Sequence, residues 1–464
     1  VTGSTNTRLR LALFLLLISL TFGCAVFSEP LTTAPPTPTP TAAAPASLAL
    51  TPQVAEPTNT NSGHPTAPVA PTQPAPRYPD LSAGSFPASP VAYTIPLTIR
   101  HLMPEQASLF FELNAPAEGF LFYQQVSPQP AETRAAAIDP VQTRQMITLE
   151  GLSPGAEYLA VLGLGKGTSG FQQPTFSAAP WEALRFRTPD GREPLKVAVF
   201  SDASFGDAST EALVAQMAAQ ELDFAINAGD IVDKIEDNVN PVEAYAQKYF
   251  SIYSPLLHRM PIYTAIGNHD YDAEARWLDS YFYYYAFPAF PDPRFNETEA
   301  DRARQYYAFA YNDVQFVMLD TQVFFGIPNW KEQDAWLAER LADPRFRFSI
   351  PVFHVPPFFS GSVHPDDQLA VRQFWHPLFA AARVPLVLSG HSHHYERLLV
   401  DGVTYIVTGG GSGTLYPAGA VLPQSQMFAS RTHYILLHIY SDRIELSAID
   451  KTGEQFDHAL IPLQ

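Results

Sequence analysis

Lys196-Val197-Ala198-Val199-Phe200-Ser201-Asp202 and Phe224-Ala225-Ile226-Asn227-Ala228-Gly229-Asp230 decide the fold. Each is a short apolar run that closes on polar residues and a carboxylate. Between them lies a helix-like stretch with apolar Leu213, Val214, Met217 and Leu222, so the three pieces read as a β-α-β unit. The pattern repeats downstream at Pro261–Ile266, Gln315–Leu319, Ser349–Phe353, Pro385–Leu388 and Thr404–Val407, each run ending in a polar cluster. In α/β sheets ligands bind beyond the carboxyl ends of strands, so these ends are expected to converge on one site.

Outward from this core, the composition excludes several function classes. The chain has 464 residues, 28 Lys+Arg against 46 Asp+Glu, and a formal net charge of −18. Without a basic run it lacks the electrostatic footprint of a nucleic-acid binder, and no nucleic-acid partner is expected. One cysteine permits neither an intramolecular disulfide nor a multi-thiolate zinc or iron–sulfur site. Any metal must be held by His, Asp, Glu and amides. The length suggests two or three domains.

Upstream the texture changes. Arg8 and Arg10 precede an uncharged stretch from Leu11 to Phe22, followed by Gly23-Cys24. This run is too short to span a bilayer, which takes roughly 20 residues, and fits a signal peptide. Residues 1–24 are therefore expected to direct export. Cys24 sits where a bacterial lipoprotein signal places its acylated residue, although Leu20 lies four residues before it rather than three. A lipid anchor on the outer face of a bacterial membrane is expected, with simple secretion as the alternative. Residues 25–90 are Pro-, Thr- and Ala-rich with almost no charge, and Pro30 to Pro90 holds 16 of the 44 prolines. Such a segment cannot bury enough apolar surface to offset ordering and reads as a tether.

Residues 91–190 show short alternating runs, Ala107–Leu113, Gln145–Leu149 and Tyr158–Leu164, separated by turn signals such as Ser153-Pro154-Gly155. That texture predicts an all-β sandwich. Leu152-Ser153-Pro154-Gly155-Ala156-Glu157-Tyr158 and the closing Phe186-Arg187-Thr188-Pro189 resemble a fibronectin type III domain.

The strand-end clusters of residues 194–464 carry the chemistry: Asp202, Gly229-Asp230, Gly267-Asn268-His269-Asp270, His354-Val355-Pro356-Pro357 and Gly390-His391-Ser392-His393-His394-Tyr395-Glu396-Arg397. They hold only carboxylate, amide and imidazole donors, which suit Zn, Mn or Fe. Together with Tyr306-Tyr307-Ala308-Phe309, Leu319-Asp320-Thr321 and Gly409-Gly410-Gly411, these motifs resemble the calcineurin-like metallophosphoesterase superfamily, in its purple acid phosphatase-like branch. The resemblance implies an α/β fold, a four-layer α/β/β/α sandwich, preceded by the fibronectin type III-like sandwich. It implies two metal ions, with Asp230 bridging, Asp202 and His393 on the first, and Asn268, His354 and His391 on the second. It also implies His269 beside the leaving group, oriented by Asp270, and His364 facing the phosphate. A metal-activated hydroxide would attack phosphorus in line, which makes phosphomonoesters, diesters or nucleotides the implied small-molecule substrates.

The chain departs from the family at the first metal. Where many members have a further His ligand this chain has Ser204, and where purple acid phosphatases have a Tyr ligand it has Asp233. Unless Asp233 or Asp207 replaces them, the first site is incomplete and weak. The alternative function is then a cell-surface binding or scaffold protein whose phosphoesterase domain is impaired. The aromatic segment Tyr271–Arg304 is expected either to pack on the domain or to line the substrate.

Overall fold

The computed structural model describes residues 81, 86–166, 170–176, 183–203, 207–232, 241–270, 306–325 and 330–463. The signal and Cys24, most of the tether, Ser204, Asp233 and the aromatic segment lie outside the described residues. Among the described residues no helix is long and apolar enough to cross a membrane.

The first strands are β1 (Tyr93–Met103), β2 (Gln106–Leu113), β3 (Gly119–Ser127), β4 (Arg134–Ala137), β5 (Arg144–Glu150), β6 (Glu157–Leu164) and β7 (Leu184–Arg187). They form two antiparallel sheets, β1-β2-β5 and β4-β3-β6-β7. Alternation places Leu109, Phe111, Leu121, Tyr158 and Phe186 in a common core. The Tyr158 hydroxyl accepts from Ser153 N–H at 2.8 Å and donates to Gln125 Oε1 at 3.1 Å, tying β6 to the preceding Ser-Pro-Gly turn. β1 also reaches the downstream half. His101 Nδ1 lies 2.6 Å from the Tyr263 hydroxyl, and both residues are buried.

The downstream strands are β8 (Leu195–Phe200), β9 (Phe224–Asn227), β10 (Ile262–Thr264), β11 (Tyr307–Tyr311), β12 (Val314–Met318), β13 (Phe348–Phe353), β14 (Leu386–Ser389), β15 (Tyr395–Val400), β16 (Val403–Thr408), β17 (Ser425–Ala429), β18 (His433–Ile439), β19 (Arg443–Asp450) and β20 (Gln455–Pro462). One sheet runs β10-β9-β8-β18-β19-β20 and the other β11-β12-β13-β14-β16-β15-β17. β8, β9 and β10 are parallel, as are β12, β13, β14 and β16, so the first sheet is parallel in one half and antiparallel in the other, and the second has a parallel centre with antiparallel flanks.

Period-2 alternation builds the layers. Val197 and Val199 of β8, Phe224 and Ile226 of β9, Ile350 and Val352 of β13, and Leu386 and Leu388 of β14 meet in one cluster between the sheets. Burying each such side chain contributes about 1.5–3 kcal/mol. The opposite face of the first sheet, with Ala198, Phe200 and Ala225, packs on Leu213, Val214 and Met217 of helix Ala208–Ala218. The opposite face of the second, with Val317, Phe353, Val387 and Tyr405, packs on Leu337, Val371 and Phe379 from helices Trp330–Leu341, Gln368–Phe374 and His376–Ala381. The order is helix, sheet, sheet, helix. Leu222, expected in the first helix, lies beyond its end because the helix stops at Ala218.

Candidate metal centre

Each cluster follows the carboxyl end of a parallel strand: Asp202 after β8, Asp230 after β9, Asn268–Asp270 after β10, His354 after β13, and His391 and His393 after β14. The backbone bends sharply there. Seven non-glycine residues among those described have positive φ, and four are candidate site residues: Asp202, Asp230, His364 and His391. The left-handed region costs a non-glycine residue of order 1–3 kcal/mol and persists only where the surroundings enforce it.

Glycines make room for the approach. Gly229 has φ +106°, and a Cβ on it would collide with the His354 ring. A Cβ on Gly390 would collide with Ser201 Oγ and lie 2.7 Å from Asp202 Oδ2. Only hydrogen fits where the two sheets converge at these points.

Asp202, Asp230 and His354 form one buried group whose ligand atoms all lie within 4.8 Å of one another. His354 Nδ1 is 3.0 Å from the Ala228 carbonyl, which can only accept, so Nδ1 carries a proton and Nε2 is the nitrogen whose lone pair a cation would use. That Nε2 lies 3.2 Å from Asp230 Oδ2 and 3.9 Å from Asp202 Oδ1. Neither His354 Nε2 nor Asp202 Oδ1 has a hydrogen-bond partner, although both are buried. Leaving buried polar atoms unsatisfied is costly, and lone pairs facing one another repel. A cation among them removes both penalties, so the residues present fit a metal. The proton affinities agree. Burial alone would push the His354 imidazole down, but the Asp230 and Asp202 carboxylates outweigh it and hold it up at about 10, so that without a cation a second proton, on Nε2, supplies the positive charge. Burial would likewise raise the Asp230 carboxyl, yet His354 keeps it well below the ordinary carboxylate range. The cradle calls for positive charge.

The other candidates surround this group. His393 Nε2 is 3.4 Å from Asp202 Oδ1, and its Nδ1 is 2.9 Å from the Thr414 carbonyl. Burial lowers the His393 proton affinity, but Asp202 beside it gives a net rise. Tyr416 stacks on the His393 ring with centroids 4.3 Å apart. His391 Nδ1 lies 3.1 Å from Asn268 Oδ1, and its ring centroid is 5.1 Å from that of His354. Burial lowers the His391 proton affinity, so the ring is neutral near pH 7. His364 stands at the rim, its side chain 57% exposed and its ring 5.5 Å from His391. The His269 backbone N–H donates to Asp230 Oδ1 at 2.9 Å, which fixes the rotation of that carboxylate.

Asp270, expected to orient the His269 ring, has a structural task of its own: its oxygens accept from the backbone N–H groups of Asp230 (3.0 Å), Ile231 (2.8 Å) and Gly267 (2.7 Å). It is fully buried and holds the turns after β9 and β10 together. Asp207 is a correction to the idea of a replacement ligand. Its Oδ1 caps helix Ala208–Ala218 by accepting from Thr210 N–H, and its Oδ2 accepts from Gly413 N–H. His394 and Arg397 are bracing residues. His394 lies between Ser392 Oγ (3.0 Å) and Glu396 Oε2 (3.3 Å), and Arg397 pairs with Asp457 at 2.8 Å. Sequence reasoning missed Asp367, whose Oδ2 lies 3.0 Å from His391 Nε2. Its only sequence signal was its place three residues after His364.

Residues 195–395 match the calcineurin-like phosphoesterase family. The chain carries a calcineurin-like phosphoesterase domain. Purple acid phosphatase 23 of Arabidopsis thaliana is 30% identical over 149 residues, covering 31% of each protein. Purple acid phosphatase 22 of the same plant is 25% identical over 222 residues, covering 46% of this chain and 47% of that protein. The chain thus spans about a third to a half of the length of these relatives. The structure of purple acid phosphatase PPD1 from yellow lupin superposes with a TM-score of 0.61 at 14% identity, covering 79% of this chain and 74% of that one. PhoD gives 0.58 at 12% identity, covering 80% and 89%. Both show the shared fold.

Proposed function

We propose that the protein is a metal-dependent phosphoesterase acting on small phosphomonoesters. The observation that carries this reading is the pair of buried, unpartnered atoms, Asp202 Oδ1 and His354 Nε2, facing each other beside Asp230. Asp202, Asp230 and His393 would hold one cation, and Asp230, Asn268, His354 and His391 the other. Bound there, the cations would offset charge on the phosphoryl oxygens and acidify a water nucleophile. The chain's own residues do the rest. Asp270 fixes the turn that presents Asp230, and the His269 N–H sets that carboxylate's orientation. His364, exposed at the rim, would donate a proton to the departing oxygen, with His269 beside the leaving group.

The anchor and tether belong to the same proposal: export through residues 1–24, a lipid on Cys24, a spacer over 25–90, a fibronectin type III-like module over 91–190 and the catalytic half over 194–464. One observation favours the scaffold alternative. Asp207 is engaged as a helix cap, so among the described residues the first side has three ligands, Asp202, Asp230 and His393. Hydrolysis of p-nitrophenyl phosphate and its bis ester with Mn, Zn or Fe separates the two readings. Wild type is expected to exceed Asp230→Ala and His354→Ala by at least about 1,000-fold, or roughly 4 kcal/mol in the barrier. Activity equal to the variants under every metal would give the scaffold reading precedence.

A further inference from the structure

We infer that Asp367 is a positioning residue that fixes His391 in the tautomer with its Nδ1 lone pair turned toward Asn268. The inference rests on the proposed two-cation reading. Asp367 occupies the N-cap position of helix Gln368–Phe374, where an Asp side chain ordinarily accepts from the first helical N–H groups. Here the side chain makes no capping hydrogen bond. Its Oδ2 is turned instead to His391 Nε2 at 3.0 Å.

His391 has two polar neighbours, Asp367 at Nε2 and Asn268 Oδ1 at Nδ1, both oxygens. A neutral imidazole has one proton to give, and a hydrogen bond to an ionised carboxylate is roughly twice as strong as one to a neutral amide oxygen. The proton therefore sits on Nε2. Nδ1 then faces Asn268 Oδ1 at 3.1 Å with lone pair against lone pair, an arrangement that a cation between them relieves. Carboxylates on the distal nitrogen of a metal-binding His fix its ring and raise its basicity, and losing them typically costs roughly 10–100-fold in affinity. His364 Nδ1, 3.9 Å from the same Asp367 oxygen, ties the rim to this support.

The test uses the full chain. Zn2+ binding to wild type, Asp367→Ala, Asp367→Asn and Asp366→Ala is followed by equilibrium dialysis with elemental analysis. The His391 tautomer is read by 15N NMR in the metal-free protein. Asp366 is the exposed neighbour and controls for loss of one charge. Asp367→Ala is expected to weaken one of the two zinc sites roughly 10–100-fold, leave the other within a few-fold, and shift the metal-free tautomer away from Nε2–H. Asp367→Asn should fall between, and Asp366→Ala should match wild type. Unchanged zinc binding and tautomer in Asp367→Ala would overturn the inference, as would an Nδ1–H tautomer in metal-free wild type. If Asp367→Ala fails to fold, the isosteric Asp367→Asn decides by the same two readings. If wild type binds no zinc, the two-cation reading fails while the tautomer still decides the role of Asp367.

Discussion

The two imidazoles of Gly390-His391-Ser392-His393 stand two residues apart, yet they are held by different means. His391 is fixed through its distal nitrogen by a carboxylate, Asp367, in a loop from another part of the chain. His393 is fixed through Nδ1 by the Thr414 carbonyl and by the Tyr416 ring lying flat on its face. The contrast extends behind them. The side holding Asn268 and Asp230 is braced by the Asp270 carboxylate on three backbone amides. The side holding Asp202 is braced by backbone and neutral groups: Gly411 N–H donates to the Ser201 carbonyl, and His433 N–H to the Gly410 carbonyl. One half of the centre is charge-supported and the other is packing-supported, so different perturbations should damage each.

Packing should therefore be the way to break the Asp202 side. Gly390→Ala is expected to have the largest effect, because its Cβ meets Ser201 Oγ and Asp202 Oδ2 and the backbone must move. Overpacking of this kind costs about 1–3 kcal/mol, and a 1 Å displacement of a site residue costs roughly 100-fold in rate. Chemical denaturation and kcat/KM measure both; wild-type values for each would show that the site tolerates the shift.

Acid probes the same side next. His433 is fully buried between Thr408 Oγ1 and the Arg431 carbonyl, and burial lowers its proton affinity to about 4 from 6.5. The unfolded chain takes up this proton first as the pH falls. The neutral ring's contribution is thus complete above about pH 6.5 and is lost as the pH drops toward about 4, by on the order of 3 kcal/mol. Urea midpoints of the metal-free protein between pH 7 and pH 4 should fall more steeply for wild type than for His433→Gln. Parallel slopes would remove His433 from the bracing.

The cap of the first helix is expected to give the smallest effect. Asp207→Ala should cost about 1 kcal/mol of stability, the usual worth of an N-cap, and leave the number of bound metals unchanged. Loss of a metal in that variant would restore Asp207 as a ligand.

Much of this was legible because chemistry and hydrophobic period coincide. Val197, Val199, Phe224 and Ile226 alternate into the inter-sheet core, and the strands they mark end on Asp202 and Asp230. A run that must be apolar for packing therefore points to the residue that need not be. His354, His391 and His393 follow strands in the same way. Asp367 carries no such marker. It follows His364-Pro365-Asp366 in a turn before a short helix, and only the folded chain brings it to His391, 24 residues away. Asp270 was visible as a residue, but its hold on the Asp230 and Ile231 amides some 40 residues upstream was not, since amides leave no trace in side-chain identity. Asp207 was open to misreading for the converse reason: a helix cap and a metal ligand are written with the same letter.

The left-handed backbone at Asp202, Asp230, His364 and His391 has a consequence for how this protein would respond to selection. Glycine or asparagine adopts that conformation more readily than histidine, so a library screened for thermal stability alone should drift toward those residues at these positions, away from the side chains the centre uses. Stability and chemistry pull against each other at the same four points. Heat resistance gained elsewhere in the chain, in the inter-sheet core or the helix caps, is the kind that leaves the centre intact.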